Sequence, residues 1–244
     1  MPLREELRSH GEWLFRWRSY LPLVLFACVV PAMIASRMST GDSIWTKWEI
    51  VCLAVALLGE AVRVITVGYV PGGTSGRNTE CQVASALNTA GMYSVVRHPL
   101  YLGNFLMWMG PALLPGNLWL ATTVALAFWI YYERIMLAEE EFLRGLYGEA
   151  YVEWASRTPA FIPRLSGWRA PPLPFSLRTV LRRELSSVFG LVTAFTALEL
   201  AGDYGAYGQL YPDPIWLPVF GASLAGFLVL VALKKAGLLD VAGR

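Results

Sequence analysis

Apolar residues fall into long runs in this chain, separated by short charged or Pro/Gly-rich stretches. A helix needs about 20 mainly apolar residues to cross the hydrocarbon core of a bilayer. Six windows approach that requirement: Tyr20 to Ala35, Trp48 to Val67, Tyr101 to Leu114, Leu118 to Tyr132, Ser187 to Ala201 and Pro214 to Leu233. Trp13, Trp17 and Tyr20 make an aromatic belt at the first, with Arg16 and Arg18 beside it, as expected at headgroup level. Pro115-Gly116-Asn117 parts the third window from the fourth, so these two predict a helical hairpin. The expected fold is all-α, a polytopic membrane protein of about six transmembrane helices. It forms one domain over 1–244, with a core at about 68–166 and a C-terminal helical pair at about 176–235.

A secretory leader is the alternative for the first window, because basic residues precede a short apolar run. Glu5, Glu6 and Glu12 in the leader and Pro31 in the run favour a retained span. No internal repeat or low-complexity tract appears, and the Pro-rich piece Ala170 to Pro174 reads as a stiff connector.

Composition agrees with lipid. Of the 244 residues, 55% are hydrophobic and 16% charged, where a soluble domain carries about a quarter charged residues. The net charge of +2 offers no basic face for a nucleic-acid backbone, so nucleic acid is not an expected partner. Two histidines and the scattered Cys28, Cys52 and Cys81 give no metal-ligand spacing, and no metal is expected. Chemistry is left to carboxylates, arginines, tyrosines, backbone and a bound cofactor.

The balanced net charge conceals an uneven distribution. With both termini on one side of a six-span layout, 17 of the 20 Lys and Arg residues fall on that side. Arg37 and Lys47 alone fall opposite, and Arg63 lies inside a span. Positive residues are retained in the cytoplasm, so both termini and the two polar stretches, 68–100 and 133–186, are expected there.

Polar groups crowd one membrane edge, in Gly91-Met92-Tyr93-Ser94-Val95-Val96-Arg97-His98-Pro99-Leu100-Tyr101-Leu102-Gly103-Asn104. Pro99 suits the first turn of a helix and leaves the next amides free for an anionic group. Arg97 and His98 can donate to a carboxylate; an interfacial anchor of snorkelling Arg and Tyr is the alternative. Glu139-Glu140-Glu141 follow the fourth span. They read either as a solvated helix face, with Glu140 and Arg144 paired at i, i+4, or as carboxylates for an amino-bearing ligand at the membrane edge. Gly72 to Asn78 is a Gly-rich loop containing Arg77, and is neither a Walker A nor a dinucleotide fingerprint. It is a flexible loop by default, or a backbone cradle in which Arg77 meets an anion. Glu60 and Arg63 in the second span read as a buried pair at i, i+3, or as the polar lining of a substrate cleft.

Together these stretches resemble the isoprenylcysteine carboxyl methyltransferases and the related phospholipid methyltransferases. Leu87-Asn88-Thr89-Ala90-Gly91-Met92-Tyr93 running into Arg97-His98-Pro99-Leu100-Tyr101-Leu102-Gly103 is similar to the T-x-G-x-Y and R-H-P-x-Y-x-G core. Glu139-Glu140 with Leu143, then Tyr147-Gly148 with Tyr151 and Trp154, then Phe161-Ile162-Pro163, is similar to the E-E-x-x-L, F-G-x-x-Y-x-x-Y and F-I-P tail, with Trp154 standing for the second tyrosine. The resemblance covers about 78–164. It implies an S-adenosylmethionine-dependent enzyme methylating a membrane lipid or lipid-anchored acceptor at the cytoplasmic face. It puts the cofactor among Asn78, Ser85, Ala86, Leu87, Asn88, Tyr93, the Arg97, His98, Pro99, Leu100, Tyr101 and Gly103 core, and Glu139. Arg134 stands one position off the arginine that handles the acceptor, and Glu140 is the candidate base for an amine.

In-line methyl transfer mainly requires alignment and exclusion of water. The faces of Tyr93 or Tyr101 suit a sulfonium. An ionised carboxylate or phosphate needs no base, whereas an amine must lose a proton, so anionic acceptors rank first. Membrane sterol reductases share a similar R-H-P-x-Y-x-G segment and use NADPH; that enzyme class, and a non-catalytic membrane scaffold, are the alternatives.

Overall fold

The computed structural model describes residues 2–18, 20–40, 45–74, 84–210 and 215–244, and its regular structure there is helical throughout. The elements are α1 (Leu3–Trp17), α2 (Leu21–Thr40), α3 (Trp45–Tyr69), α4 (Pro99–Leu113), α5 (Leu118–Tyr147), α6 (Glu149–Arg157), α7 (Leu177–Tyr207) and α8 (Trp216–Lys235). Each of the six apolar windows lies on a helix. Four helices, α3, α5, α7 and α8, are long and apolar enough to cross a membrane, and α2 carries a shorter apolar stretch, Phe26–Ser39. The chain is thus an integral membrane protein.

The hairpin between α4 and α5 forms as its sequence predicts. Gly116 takes φ +67, a left-handed turn conformation that costs glycine least. The Asn117 side chain then accepts from Leu120 N and caps α5. In α7 the helix starts ten residues before the apolar window does, because Ser176 caps it through Thr179 N. Its first three turns therefore carry Arg178, Arg182, Arg183 and Glu184 on a helix. The amphipathic α1, marked in the sequence only by its aromatic belt, packs along α5. Gly11 is essential to that crossing, since a Cβ there would lie 2.1 Å from Arg134 O.

Lipid provides no hydrophobic drive for helix association, so the bundle relies on close packing. Helices α3 and α4 meet along small residues. A Cβ on Gly59 would lie 2.5 Å from Gly103 O, and one on Gly110 would lie 2.8 Å from Cys52 O. One core cluster gathers Met33, Cys52, Leu114, Phe195 and Leu198; a second gathers Phe15, Tyr101, Phe128, Tyr132 and Ile135 at the base of the polar region. By contrast, only 6% of the most apolar window of α8 is buried, leaving Leu217, Leu224 and Leu228 turned outward, as on a lipid-facing wall.

Candidate active site

A cavity of about 790 Å³ opens where α3, α4, α5, α7 and α8 end together. Its floor is the His98–Tyr101 turn. Pro99 starts α4 and His98 is its N-cap residue, with no side-chain cap, so the first-turn amides keep their donor capacity. Two backbone bonds fasten this turn from behind: Arg97 N donates to Pro159 O at 2.9 Å and His98 N to Ala160 O at 3.2 Å. Arg164 N returns a bond to Val95 O at 2.9 Å. The Phe161-Ile162-Pro163 tail is thus a strap, with Phe161 edge-on to Phe105 and Trp129 at 5.8 and 5.3 Å.

The paired glutamates of α5 divide their work. Tyr101 donates its hydroxyl to Glu139 Oε1 at 2.6 Å, and Glu139 faces the cavity. Glu140 instead lies behind His98, 2.9 Å from its Nε2 and 3.1 Å from Arg97 Nε. His98 Nδ1 is 3.7 Å from Glu139 Oε2, so the buried imidazole sits between two carboxylates and stacks on Tyr101 at 5.8 Å. Carboxylates are the natural partners of imidazole and guanidinium donors, so Arg97 and His98 are directed at Glu140 rather than at an incoming anion.

The short helix α6 explains the aromatic tail motif. Gly148, with φ +54, breaks the chain sharply between α5 and α6. Tyr147 then donates to Ala84 O at 2.9 Å, and Trp154 Nε1 donates to Tyr93 O at 3.0 Å. The tryptophan thereby uses its one N–H to hold the Tyr93 segment. Burial, then Glu139 nearby, push the Tyr93 phenol well above its ordinary range; burial and then Glu140 do the same to Tyr151. Both stay protonated and neither can serve as a phenolate base.

The structure brings Ala86, Leu87, Asn88, Tyr93, Arg97, His98, Pro99, Leu100, Tyr101 and Glu139 together on the cavity wall. The other residues singled out in the sequence lie elsewhere. Ser85 does not line the cavity; its Oγ donates to Gly72 O at 3.1 Å and pins the loop. Gly103 serves the α3–α4 seam, where a Cβ would lie 2.5 Å from Arg63 Cγ. Arg134 lies on the outer face of α5, bonded to its own helix at Ile130 O, 2.6 Å away, and borders a separate apolar groove with His10 and Trp13. Glu140 is held by Arg97 and His98, which suits positioning better than proton abstraction. Asn78 and Arg77 lie outside the described residues.

Sequence reasoning missed the partners of Arg63. Its guanidinium forks onto Glu184 of α7, with Nε 2.8 Å from Oε2 and Nη2 3.0 Å from Oε1. Its Nη1 donates to Asn104 Oδ1 at 2.5 Å. Arg63 and Glu184 both line the cavity, as do Arg182, Arg183, Lys234 and Arg244. An arginine inside an apolar run was the available signal, since such charges mark functional interiors; its partner, 121 residues away, could not be read. Among the described residues no group of three or more His, Cys, Asp or Glu could hold a metal ion.

Apolar helices long enough to cross a membrane, meeting around a cavity lined by polar and charged side chains, define an integral membrane protein with a polar ligand site at one end of the bundle. The family model for phospholipid methyltransferases matches residues 49–150. The nickel-cobalt-cadmium resistance protein NccN of Alcaligenes xylosoxydans xylosoxydans is 32% identical over 203 residues, 79% of this chain and 85% of the relative. The cobalt-zinc-cadmium resistance protein CzcN of Cupriavidus metallidurans is 34% identical over 147 residues, 58% of this chain and 63% of its own length. The protein-S-isoprenylcysteine O-methyltransferase of Schizosaccharomyces pombe is 32% identical over 77 residues, 32% of this chain and 33% of that enzyme. No solved structure matches. The chain belongs to the isoprenylcysteine carboxyl methyltransferase and phospholipid methyltransferase family, and is a membrane methyltransferase.

Proposed function

We propose that this protein transfers a methyl group from S-adenosylmethionine to a carboxylate or phosphate carried by a membrane lipid or lipid-anchored acceptor, at the cytoplasmic face. The observation that carries the reading is the cavity floor, where aromatic rings, first-turn amides and one accessible carboxylate converge. A volume of about 790 Å³ suits a cofactor-sized ligand with room for an acceptor group, since ligand sites run roughly 300–1,000 Å³. The rings of Tyr93 and Tyr101 fit a sulfonium, and Glu139 fits the amino group. With Arg97 and His98 turned toward Glu140, the amides of Leu100 and Tyr101 at the start of α4 fit the donor's carboxylate. When bound, S-adenosylmethionine supplies an electrophilic methyl group.

The protein's own residues position and shield. Glu140 orients His98 and Arg97, and these hold the α4 turn on which Tyr101 and Glu139 meet. The strap at 158–164 and the α6 aromatics close the aqueous side. The cytoplasmic orientation rests on the distribution of Lys and Arg, 17 of them on the cavity side, by the positive-inside rule.

Isothermal calorimetry on the purified protein tests the reading. Micromolar binding of S-adenosylhomocysteine with no response to NADPH is expected. The basic residues in the cavity could instead meet a 2′-phosphate, so NADPH binding without S-adenosylhomocysteine binding would replace methyl transfer with a reductase reading.

A further inference from the structure

The groove beside Arg134 lies apart from the polar cavity. It measures about 510 Å³ and runs between α1 and α5, bordered by Trp13 and Leu14 on one side and by Ala127, Ile130 and Tyr131 on the other. The polar cavity is lined instead by their neighbours Phe15 and Tyr132, so the two helices turn different faces to the two spaces.

The way the helices pair orders the groove from end to end. Arg4 bonds to Glu141, Gly11 lies against Arg134 O, and Tyr131 donates its hydroxyl to Leu14 O at 3.0 Å, so α1 runs antiparallel to α5. His10 and Arg134 therefore stand together at one end. Ala127 stands at the other, about 10 Å farther along α5 at a rise of about 1.5 Å per residue. The Ala127 end falls within the apolar run of α5, and Arg134 lies just past the close of that run at Tyr132. Trp13, 55% exposed, begins a ladder of rings, 6.3 Å from Trp17, which is 6.0 Å from Tyr20. Such aromatic belts settle at headgroup level. The groove thus has a cation where headgroups lie and an apolar slot running toward the hydrocarbon, which is the polarity of a phospholipid.

The cation is suited to an anionic oxygen. Among the described residues Arg134 meets the backbone carbonyl of Ile130, at 2.6 Å, and no carboxylate. Acidic groups nearby are engaged elsewhere, Glu141 with Arg4 and Glu12 with Arg8, and the adjoining Glu133 projects about 100° away around the helix. A guanidinium is a strong donor to phosphate oxygens.

We infer that this groove is a binding site for an anionic phospholipid of the surrounding bilayer, with the phosphate at Arg134 beside His10 and an acyl chain along Ile130 and Ala127. The bound lipid is not the methyl acceptor, because its site lies outside the polar cavity; it fills the outer seam between α1 and α5. The site is independent of the methyl-transfer reading.

Brominated acyl chains quench tryptophan on contact, and this gives the test. Full-length protein is reconstituted in vesicles of phosphatidylcholine and phosphatidylglycerol in which one lipid or the other carries bromine. The Trp13 share of the emission is the difference between the protein and its Trp13→Phe variant. Brominated phosphatidylglycerol is expected to quench that share at a mole fraction about fivefold lower than brominated phosphatidylcholine, the scale of one arginine at an anionic surface. Arg134→Gln should bring the two lipids level while keeping the melting transition and methyl incorporation. Arg16→Gln, which removes an exposed arginine of α1 outside the groove, should keep the preference. Equal quenching by the two lipids in the unmodified protein, or a Trp13 share that neither lipid quenches, would overturn the inference. A preference that survives Arg134→Gln, or one that disappears in Arg16→Gln, would also overturn it by assigning the effect to diffuse surface charge.

Discussion

The two polar ends of the bundle use the same residue types to opposite effect. Away from the cavity, Arg37 of α2 is buried against Glu199, with Glu49 at 3.7 Å and Asp203 at 3.6 Å. One cation meets three carboxylates drawn from α3 and α7, and the result is a staple across three helices. At the cavity end, Arg63 and Glu184 form a one-to-one pair on a wall that also carries Arg182, Arg183 and Lys234, with Arg182 3.1 Å from Asp240. Burying a charge is tolerable when its partners accompany it. The far end is therefore closed within the bundle, whereas the near end opens into a cavity lined by charged side chains. Arg37, counted from sequence as a positive residue on the outer side, contributes nothing to the outer surface because it is neutralised inside.

Substitutions at the two ends should separate along the same line. The largest effect is expected from Glu139→Ala, which removes the accessible carboxylate: methyl incorporation should fall roughly 30- to 100-fold, the worth of a lost charge-assisted contact of about 2–3 kcal/mol. Detergent-solubilised protein should still show an unchanged melting transition. Arg37→Met should do the reverse. Stranding buried carboxylates costs about 3–5 kcal/mol, so the melting transition should drop steeply while methyl incorporation per folded molecule holds. If Arg37→Met kept its melting point and lost activity instead, the contrast between a closed end and a working end would be wrong. Gly59→Val forces a side chain into the α3–α4 seam and should cost about 1–3 kcal/mol, read in the same melting assay. Trp154→Phe deletes the bond to Tyr93 O; at about 1 kcal/mol per hydrogen bond, S-adenosylhomocysteine affinity should weaken about fivefold. Arg134→Gln is expected to leave methyl incorporation within about twofold, because the side chain lies outside the cavity on the outer face of α5.

What was legible in the sequence divides by range. Helices were legible because an apolar run is a local signal, and the hairpin at Pro115-Gly116-Asn117 because turn chemistry is local too. The cavity floor was legible because Arg97 to Tyr101 are contiguous, and because Glu139 and Glu140 follow one another on one helix. Adjacency on a helix, however, hides orientation: neighbours point about 100° apart. That spacing sends Glu139 to the cavity and Glu140 behind His98, so one role could not be assigned to both. The ion pairs were illegible for a different reason. Arg63 and Glu184 are 121 residues apart and Arg37 and Glu199 are 162 apart, and only the packing of α3 and α2 against α7 brings them together. The place of Gly103 in the α3–α4 seam was illegible because a glycine needed for close helix approach and one needed for ligand approach look alike in sequence.

The glycine seam has a mechanical consequence. With Gly59, Gly103 and Gly110 seated on facing backbone or side chains, α3 and α4 cannot slide past one another without steric collision, and parting them gives up close packing. The cavity floor, built on α4, is therefore attached to the most extensively packed helix pair among the described residues. Helix α8 packs chiefly on α7 and has lipid along most of its length, so it is the wall with the fewest ties. Any widening of the cavity toward the bilayer is cheapest there, which makes the enzyme a fixed anvil with one yielding side.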